Sequence, residues 1–462
     1  MRLCVGALTL LAASAHARGV SPYLPVDISP EIERKIERLL ILAEQPVLKR
    51  PIAAATVLDA LPRACERDAA LCEDVRRYLN SLTRTAGVSY ASLAVGGGSG
   101  PDTPLPNRHG MSSRSNYEAA AAVYWQPGDY FAVTGGVLAY EGETVPTGTV
   151  LTFGREYAQI DIGYRDRRWS PLTDSAMSIS TQAATMPSAT LSNYAPIGKI
   201  GLRYEAFIAE MSASDNIRHM GALTSGQPRL AGLHLSIEPY PGWSVGVSRL
   251  MQYGGGSRPS SFSDLIDGLF DPSSDNTGTD AELGNQVASF TTEYIAPAQF
   301  PVAVYFEYAG EDTSTNNDLR LGNSALAAGI RLPRLGERLS LTVELGEWQN
   351  AWYEHHIYGD GLRHEGRVIG HWGADWRVAG DDIGARSTLV RLGWSLPAGG
   401  DLEITYRGLR NQTYGAFAYD HAHLLDVRYD RRWREFFVGA ELQAGNDSFG
   451  ESFSRLSTFI RF

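Results

Sequence analysis

The stretch Ser452–Phe462, S-F-S-R-L-S-T-F-I-R-F, has the alternation of a β-strand whose two faces lie in different surroundings. One parity carries Leu456, Thr458, Ile460 and Phe462, and the other carries Arg455 and Arg461. Because side chains of a strand alternate with a period of two, the first face suits lipid and the second suits a wetter interior. This pattern is expected of the closing strand of a bacterial outer-membrane β-barrel, although the edge of a soluble sandwich has the same short-range pattern.

The connections between predicted strands alternate in length, which decides between these two folds. Strand-like segments such as Val302–Tyr308 and Leu339–Leu345 recur from about Val88 onward. Short turns are predicted at Gln126–Asp129, Pro196–Lys199, Pro239–Gly242, Ala296–Pro301, Pro333–Arg338, Pro397–Gly400 and Asp430–Arg434. Longer polar connections are predicted at Met211–Arg229, Gly254–Gln286, Gly310–Asn323, Trp348–Ala385, Asn411–Asp420 and Gly445–Glu451. Outer-membrane barrels have short periplasmic turns and long external loops.

The turn pattern therefore predicts a mainly β fold, a transmembrane antiparallel β-barrel. One further turn is expected between Val150 and Asn193, which brings the prediction to about 18 strands, with 16 as the alternative. A barrel of this width has a lumen that is either filled or left open.

The N-terminus predicts export. An apolar run from Leu3 to Ala13 precedes Ala15-His16-Ala17, so residues 1–17 are expected to be a signal peptide cleaved before Arg18. No later stretch has the 18 or more consecutive apolar residues of a transmembrane helix. The net charge of −11 argues against a nucleic-acid partner.

Residues 18–86 predict short amphipathic helices. The first spans Asp27–Glu44, with Ser29 as N-cap and Pro30 at the first helical position; Ile32, Ile36, Leu39, Leu40 and Ala43 form its apolar face, opposite Glu33, Lys35, Glu37 and Arg38. A second is expected from Pro51 to Leu61, stopped by Pro62, and a third from Cys72 to Thr85. This segment is too small to bury a hydrophobic core of its own. It is therefore predicted to plug the barrel, residues 87–462, from the periplasmic side. A small independent periplasmic bundle is the alternative.

Cys65 and Cys72 are expected to form a disulfide in an oxidising periplasm. Seven residues of unbroken helix would separate them by about 10 Å, which is beyond disulfide reach. The disulfide therefore predicts a helix break near Arg67-Asp68; two free thiols in one helix are the alternative.

Several motifs resemble the Wzi capsule-assembly outer-membrane proteins. They are Tyr23–Ile52, opening Y-L-P-V-D-I-S-P; Gly163–Pro171, G-Y-R-D-R-R-W-S-P; Gly254–Pro259 followed by Gly284-Asn285-Gln286; and Tyr353–Gly370, Y-E-H-H-I-Y-G-D-G-L-R-H-E-G-R-V-I-G. Ser170 replaces an expected glycine, Leu362 replaces an expected aromatic residue, and the cysteine pair is not a family feature. The resemblance implies a cell-surface protein that binds capsular polysaccharide as a lectin.

Sugar polymers are bound by flat aromatic faces together with carboxylate, amide or guanidinium groups. The connection Trp348–Ala385 is rich in both, and its predicted polysaccharide-binding residues are Trp352, Tyr353, Glu354, His355, Tyr358, Arg363, Arg367, Trp372 and Trp376. An interfacial aromatic girdle is the alternative, and it would account for Trp348 and Trp394. The histidines of this connection lack a compact metal-ligand spacing, so no metal site or cofactor is predicted.

A second basic and aromatic cluster consists of Arg165, Arg167, Arg168 and Trp169. These residues either contact the ligand or line the lumen and pair with acidic residues of the helices.

The sequence therefore predicts an outer-membrane barrel that binds capsular or exopolysaccharide and helps attach or assemble it at the cell surface. Expected partners are this polymer, outer-membrane lipid and, through the strand ending at Phe462, the barrel-assembly machinery; the protein is expected to be monomeric. No catalytic motif is present, so no enzymatic activity is predicted, although His234 or His421 beside a serine would be the residues of a lipid hydrolase. A pore for sugars or other small solutes is the alternative function.

Overall fold

The computed structural model describes residues 19–25, 28–261, 263–266, 282–296, 301–311, 313–314, 317–336, 338–397 and 399–462. The predicted signal peptide, residues 1–17, lies outside the described residues. So do Asp27, most of the predicted turn Ala296–Pro301 and much of the connection Gly254–Gln286.

Antiparallel strands dominate the chain. In chain order they are β1 Ala86–Ser99, β2 Tyr117–Gly128, β3 Phe131–Tyr140, β4 Glu143–Val145, β5 Val150–Arg155, β6 Ala158–Gly163, β7 Ser188–Ser192, β8 Arg203–Glu210, β9 Ser214–His219, β10 Ala222–Gly226, β11 Arg229–Tyr240, β12 Trp243–Tyr253, β13 Gly284–Ala296, β14 Val302–Glu311, β15 Thr313–Ser314, β16 Asn317–Leu321, β17 Ser324–Leu335, β18 Leu339–Trp348, β19 Arg363–His364, β20 Arg367–Val368, β21 Ala385–Ser395, β22 Asp401–Asn411, β23 Ala422–Trp433, β24 Phe436–Asn446 and β25 Ser452–Arg461.

The main sheet closes on itself. Each strand of the wall pairs antiparallel with the next wall strand in the chain, and β25 pairs antiparallel with β1 from Ser92 opposite Arg461 to Ser99 opposite Ser454. The sheet contains 19 strands, of which the three-residue β4 pairs only with the end of β3, so the wall has 18 positions. Closure removes every free edge, which a membrane-spanning sheet requires. The prediction of about 18 strands is confirmed.

The additional short turn expected between Val150 and Asn193 lies at residues 156–157, between β5 and β6. The strands β9 and β10, β15 and β16, and β19 and β20 form separate two-stranded hairpins in the long connections.

The two faces of β25 are as predicted. Leu456, Ile460 and Phe462 point outward and are 58%, 36% and 44% exposed, whereas Arg455 and Arg461 point inward and are buried. The outer face of the other strands is apolar in the same way, with Leu345, Val390, Leu425 and Leu442 exposed. An outward apolar band on a closed barrel is the surface that such barrels present to lipid, and the chain has the architecture of an outer-membrane protein.

Three helices precede the wall: α1 Pro30–Leu42, α2 Ala54–Cys65 and α3 Ala69–Leu79, the last followed by a 3-10 turn at Asn80–Leu82. None of the described helices has the length and apolarity needed to cross a membrane. The predicted stop at Pro62 is wrong, because α2 continues through this proline to Cys65. The third helix begins before Cys72 and its α-helical part ends before Thr85. Ser29 is the N-cap residue of α1 by position, but its side chain makes no capping hydrogen bond.

The helices lie at the short-turn end of the barrel against its inner wall, and we call them the helical plug for this position. The predicted apolar face of α1 packs against α2 and α3 in one buried cluster. Its polar face meets the wall: Glu37 is 4% exposed and points at the inner wall, where Arg391 lies 2.8 Å from its carboxylate. Arg34 likewise reaches Glu403 of β22 at 2.6 Å. The polar face of α1 is thus complementary to the polar lumen.

Cys65 and Cys72 form a disulfide with their Cα atoms 5.4 Å apart. The break that separates α2 from α3 covers residues 66–68. Asp68, at the end of this break, caps α3 by accepting a hydrogen bond from the Leu71 backbone N–H at 3.0 Å.

The outer half of the lumen is filled by two long connections, residues 164–187 and 349–384. Both contribute to one buried apolar cluster with inward-facing wall residues such as Phe207 and Leu250. The buried carboxylates beside this cluster are hydrogen-bonded: Ser170 donates to Glu307 at 2.6 Å, and Tyr305 donates to Glu344 at 3.0 Å. Ser170, one of the departures from the Wzi pattern, therefore satisfies a buried carboxylate of the wall.

Candidate functional site

The aromatic residues predicted to bind polysaccharide lie inside the barrel. At most 2% of the surface is exposed for Trp348, Trp352, Tyr353, Tyr358, Trp372 and Trp376. Their rings pack on one another; the centroids of Trp372 and Trp376, for example, are 5.1 Å apart. A sugar ring stacks only on an exposed aromatic face, so this part of the prediction is corrected: these residues are core. Trp348 is not part of an interfacial girdle either, whereas Trp394 faces outward and is 41% exposed.

The charged residues predicted with them are also mostly internal. Arg363 pairs with Asp375 at 2.8 Å and with Glu354 at 3.4 Å, and its side chain is 9% exposed. Burial raises the pKa of Asp375 and of Glu354 above the ordinary value, with Arg363 opposing this effect in both cases. These three side chains hold the connection 349–384 together. Leu362, the second departure from the family pattern, is buried in the same core.

His355 contacts Glu282 at 3.0 Å, and His356 contacts the same carboxylate at 3.4 Å. These potential ligand atoms lie within 4.8 Å of one another. The Nδ1 atom of His355 accepts a hydrogen bond from the Ile357 backbone N–H at 3.3 Å, which leaves the ring proton on Nε2, facing Glu282. The contact joins the connection 349–384 to the residues that precede β13.

The second predicted cluster lines the lumen. Arg165 pairs with Asp161 at 3.0 Å and with Glu205 at 2.8 Å, and Trp169 donates to Glu205 at 3.1 Å. Arg167 donates to Ser188 at 2.7 Å. Arg168 comes within 3.9 Å of Glu33 in α1, which is the only pairing of this cluster with a helix carboxylate among the residues that the structure describes. The cluster therefore attaches the segment after β6 to the wall.

An open cleft of 580 Å³ lies at the long-loop end of the barrel, which is the outer end. The hairpin of β19 and β20 forms one side of it. Glu365 and Gly366, at the tip, have φ values of 49° and 72°, and these positive values at both central positions are those of a two-residue type I′ turn. The turn presents Glu365, His364 and Arg367 to the cleft. Arg367 is the one predicted binding residue that lines this cavity.

The hairpin of β19 and β20 is held in place by Ser212, which follows the end of β8. The Nδ1 atom of His364 accepts a hydrogen bond from the Ser212 backbone N–H at 2.9 Å, and the hydroxyl oxygen of Ser212 accepts one from the Glu365 N–H at 3.0 Å. Burial lowers the pKa of His364 to about 4, so it is neutral at neutral pH. Glu143 and Glu210, both exposed, line the other sides. The charged rim of the cleft thus consists of three carboxylates and the guanidinium of Arg367.

The floor of the cleft is a hydrogen-bonded network around Asp166. Its carboxylate contacts Nε2 of His109 at 3.1 Å and accepts hydrogen bonds from Thr147, at 2.7 Å, and from Thr185. Burial would raise the pKa of Asp166, but His109 and the two hydroxyls hold it below the ordinary value. His109 and Thr185 line the cleft, whereas Asp166 and Thr147 line a second cavity with Tyr23 and Pro51, so the network lies between the two.

A second outer surface has exposed aromatic rings, and the sequence reasoning missed it. Tyr414, Phe417 and Phe449 are 63%, 48% and 51% exposed, on the connections 412–421 and 447–451. We call these three rings and Tyr419 between them the aromatic ledge; the Tyr419 ring is 5.7 Å from that of Phe449. The hydroxyl of Tyr414 accepts a hydrogen bond from the Gly384 N–H at 2.9 Å, which anchors its ring on the loop below. The sequence signal that could have revealed this surface is the aromatic content of the connection Asn411–Asp420, which was predicted only as long and polar.

Solved structures resemble this chain over nearly its full length. Escherichia coli Wzi, an outer-membrane protein involved in group 1 capsule assembly and a carbohydrate-binding β-barrel, superposes with a TM-score of 0.71 at 15% identity, over 96% of this chain and 99% of that one. Pseudomonas aeruginosa OccK5 (OpdH) superposes with a TM-score of 0.50 at 10% identity, over 82% of this chain and 96% of that one. At these identities the likeness concerns the fold.

Among curated relatives, an uncharacterized 55.8 kDa protein of the cps region of Klebsiella pneumoniae is 41% identical over 88 residues. The alignment covers 19% of this chain and spans only 17% of the length of that relative.

The family model of the capsule assembly protein Wzi matches residues 149–434. This range includes the motifs Gly163–Pro171, Gly254–Pro259 and Tyr353–Gly370, which carried the resemblance in the sequence. It also includes both long connections that fill the lumen and most residues of the outer cleft. The chain belongs to the Wzi capsule-assembly family.

Proposed function

We propose that this outer-membrane barrel binds capsular or exopolysaccharide on its outer face and helps attach or assemble the polymer at the cell surface, without catalysing a reaction on it. The observation that carries the proposal is the combination of a filled lumen with an open polar cleft above it. The segments 164–187 and 349–384 occupy the outer half of the barrel, and the cleft opens on their outer side. This arrangement suits polymer binding at the outer surface better than passage of solutes through the lumen.

The cleft has groups suited to sugar hydroxyls. Carboxylates accept hydrogen bonds from hydroxyl groups, and an arginine donates to hydroxyl or carboxylate oxygens. With Glu143, Glu210 and Glu365 around the single Arg367, the cleft favours a neutral or sparsely acidic stretch of polymer over a run of consecutive uronic acids.

The aromatic ledge supplies the other element of sugar recognition. The exposed faces of Tyr414, Phe417 and Phe449 offer apolar surface to the C–H side of sugar rings. The connection 349–384 contacts both surfaces: its hairpin β19–β20 lines the cleft, and Gly384 holds Tyr414. A polymer chain is long enough to engage both surfaces at once. Binding at one surface then raises the effective concentration of the polymer at the other and tightens overall binding.

The test is binding of the purified, detergent-folded protein to cell-surface polysaccharide of the same organism. We expect Arg367→Ala and the double variant Tyr414→Ala/Phe417→Ala to weaken binding each by at least about tenfold, a loss of about 1.4 kcal/mol. Arg334→Ala and Tyr240→Ala are matched controls, because both residues are exposed at the short-turn end. Equal loss in the controls, or none in the outer variants, would remove the proposed site.

Cells that lack the protein are expected to release polymer into the medium. Unchanged cell-bound polymer, together with measurable single-channel conductance of the intact barrel in planar bilayers, would instead support a solute pore.

We further propose that the barrel acts as a monomer surrounded by outer-membrane lipid, and that β25 is the strand recognised by the barrel-assembly machinery. The outward face of β25 is apolar, and the Phe462 backbone N–H donates to Ala91 of β1 at 2.8 Å, next to the seam where the barrel closes.

A further inference from the structure

Two arginines stand directly opposite each other on the outward face of the wall, at its outer end. The register of β21 and β22 places Arg386 across from Arg410. Their chain neighbours Ala385, Leu409 and Asn411 are buried in the lumen, so the alternation of the strands turns both guanidinium groups outward. Like charges directly opposite on one face of a sheet destabilise it.

The neighbouring strands do not cancel this charge. Arg386 pairs with Glu347 of β18 at 3.0 Å, but both side chains are more than half exposed, so the pair stabilises the wall little. No ion pair of Arg410 is found among the described residues. One cation of the pair is therefore without a protein counter-ion in the described part of the chain.

Two histidines extend the cluster on the other side. Gly408 of β22 lies opposite His423 of β23, which places His421 next to Arg410 in the same register. The His421 and His423 ring centroids are 4.1 Å apart. Partial burial, His423 and Arg410 all lower the pKa of His421 below its ordinary value. We call Arg386, Arg410, His421 and His423 the basic rim cluster.

The height of the basic rim cluster on the wall points to its ligand. Below it, the outward positions carry Tyr406, Val390 and Leu425, and the wall ends in Trp394 opposite Leu402. The strand from Arg410 to Leu402 covers about 26 Å at about 3.3 Å per residue, or about 20 Å along the membrane normal at a tilt of about 40°. This is close to the about 25 Å height of the apolar band of membrane barrels. The cluster therefore lies at the level of the headgroups of the outer leaflet.

We propose that the basic rim cluster binds the phosphate groups of a phosphorylated outer-leaflet glycolipid. Arginine forks match phosphate oxygens in a bidentate geometry, and two opposed forks on neighbouring strands can hold one phosphate between them. The phosphate neutralises the opposed arginines, while the acyl chains of the same lipid cover the exposed Val390 and Leu425. Binding at this site is separate from polysaccharide binding at the outer cleft and orients the barrel in the leaflet.

The experiment uses the full-length, detergent-folded protein and native mass spectrometry. It is titrated with lipid A that carries both phosphates and, separately, with the same lipid after removal of its phosphates. We expect wild type to retain the phosphorylated lipid preferentially. Arg410→Gln should weaken this retention about fivefold, and Arg386→Gln/Arg410→Gln at least about tenfold. Millimolar inorganic phosphate should compete only weakly, because it lacks the acyl chains.

Arg431→Gln is the matched control, since Arg431 is an exposed arginine of β23 at the opposite rim. Heat-modifiable migration in gels establishes that each variant is folded. Equal retention of the two lipids by wild type would overturn the proposal, as would an undiminished preference in the double variant or an equal loss in the control.

Discussion

Tyr353 donates a hydrogen bond to the backbone carbonyl oxygen of Met177 at 2.6 Å, joining the two segments that fill the outer lumen. The same hydroxyl accepts a hydrogen bond from the His371 backbone N–H at 2.7 Å. Tyr353 is fully buried, so neither backbone group has water as a substitute partner. One phenol therefore holds together the connection after β6 and the connection after β18.

Tyr353→Phe should destabilise the barrel without changing its shape. It leaves the carbonyl of Met177 and the N–H of His371 buried without this partner, which costs about 1 to 3 kcal/mol. The midpoint of urea unfolding followed by near-UV circular dichroism measures the effect. Tyr240→Phe is the control, because Tyr240 is 68% exposed. Equal midpoints for wild type and Tyr353→Phe would show that this bond does not hold the two segments.

Glu37→Gln should loosen the helical plug. The Glu37 carboxylate lies 2.8 Å from Arg391, 3.2 Å from Arg50 and 3.6 Å from Arg331, so its removal leaves three guanidinium groups under-compensated in the lumen. Loss of one partner of a buried ion pair costs about 3 to 5 kcal/mol. Limited proteolysis of the helices and conductance of the barrel measure the change. Glu73→Gln, at a side chain 61% exposed, should behave as wild type.

The contact of Glu37 with its three arginines should stabilise the protein less as the pH falls. Burial would raise the pKa of Glu37, but Arg331, Arg391 and Arg50 outweigh it and lower the pKa from 4.5 to about 2. The unfolded chain therefore takes up the proton first as the pH falls from 4.5 toward 2, and the stabilisation present above pH 4.5 is lost over that window. A plug that becomes more protease-resistant on acidification through this window would contradict the assignment.

Mild acid should destabilise the filled lumen through His371. Burial lowers its pKa to about 4, against an opposing effect of Asp174. Nδ1 accepts a hydrogen bond from the Gly373 N–H at 3.0 Å, and Nε2 contacts the Ser387 hydroxyl at 3.0 Å, so the neutral ring is the one that fits. Since the unfolded histidine titrates near 6.5, the stabilisation is complete above pH 6.5 and is lost as the pH falls toward 4.

His371→Asn keeps an acceptor for Gly373 and should show a smaller loss of stability between pH 7 and pH 4.5 than wild type. Tryptophan fluorescence reports the change, because the Trp348 ring lies 4.7 Å from that of His371. His219→Asn, in the separate hairpin of β9 and β10, should keep the wild-type profile. The assignment to His371 fails if its variant and wild type lose stability in parallel.

Cys65→Ser/Cys72→Ser should open the turn between α2 and α3 and leave the barrel wall intact. This turn carries Arg67, which pairs with Glu44 at 2.6 Å, and Asp68, which pairs with Arg38. Loss of a disulfide costs about 2 to 4 kcal/mol, here confined to the helices. Trypsin cleavage within residues 63–67 should accelerate while heat-modifiable migration persists. Reductant should accelerate cleavage of wild type and leave the double variant unchanged.

Phe462→Ala should reduce the amount of assembled barrel in cells more than it reduces stability in detergent. Phe462 is 44% exposed, and its ring lies 6.1 Å from that of Phe436 on the neighbouring strand, so the substitution removes exposed surface instead of core. The measurement compares folded and unfolded fractions in isolated outer membranes with the denaturation midpoint of the purified protein. Thr458→Ala, on the same face, is the matched control. Equal assembly of Phe462→Ala and wild type would argue against recognition through this residue.

The amino-acid sequence by itself determined the barrel fold, indicated about 18 strands with 16 as the alternative, and determined the orientation of the faces of its closing strand. The outward Leu456 and Ile460 of β25 and the inward Arg455 follow from the period of two in a strand. The eighth short turn, at residues 156–157, was expected from the alternation of connection lengths. These are local properties, since a strand or a turn is specified by the residues that form it. The motifs within residues 149–434 likewise sufficed to indicate the family.

Only the tertiary structure decided which groups of the long connections meet solvent. Trp352 and Tyr353 are buried, whereas Arg367 of the same connection lines an open cleft and Tyr414 of another is exposed. The sequence analysis predicted the first three as sugar contacts and did not single out Tyr414, because the exposure of each depends on packing between segments distant in the chain, such as Tyr353 against Met177. The same holds for Glu37, which the sequence places opposite the apolar face of α1 and which the structure places among arginines of the wall. The pattern within a strand is set by neighbours one and two residues away, whereas the filling of the lumen is set by volume and charge complementarity across the whole barrel.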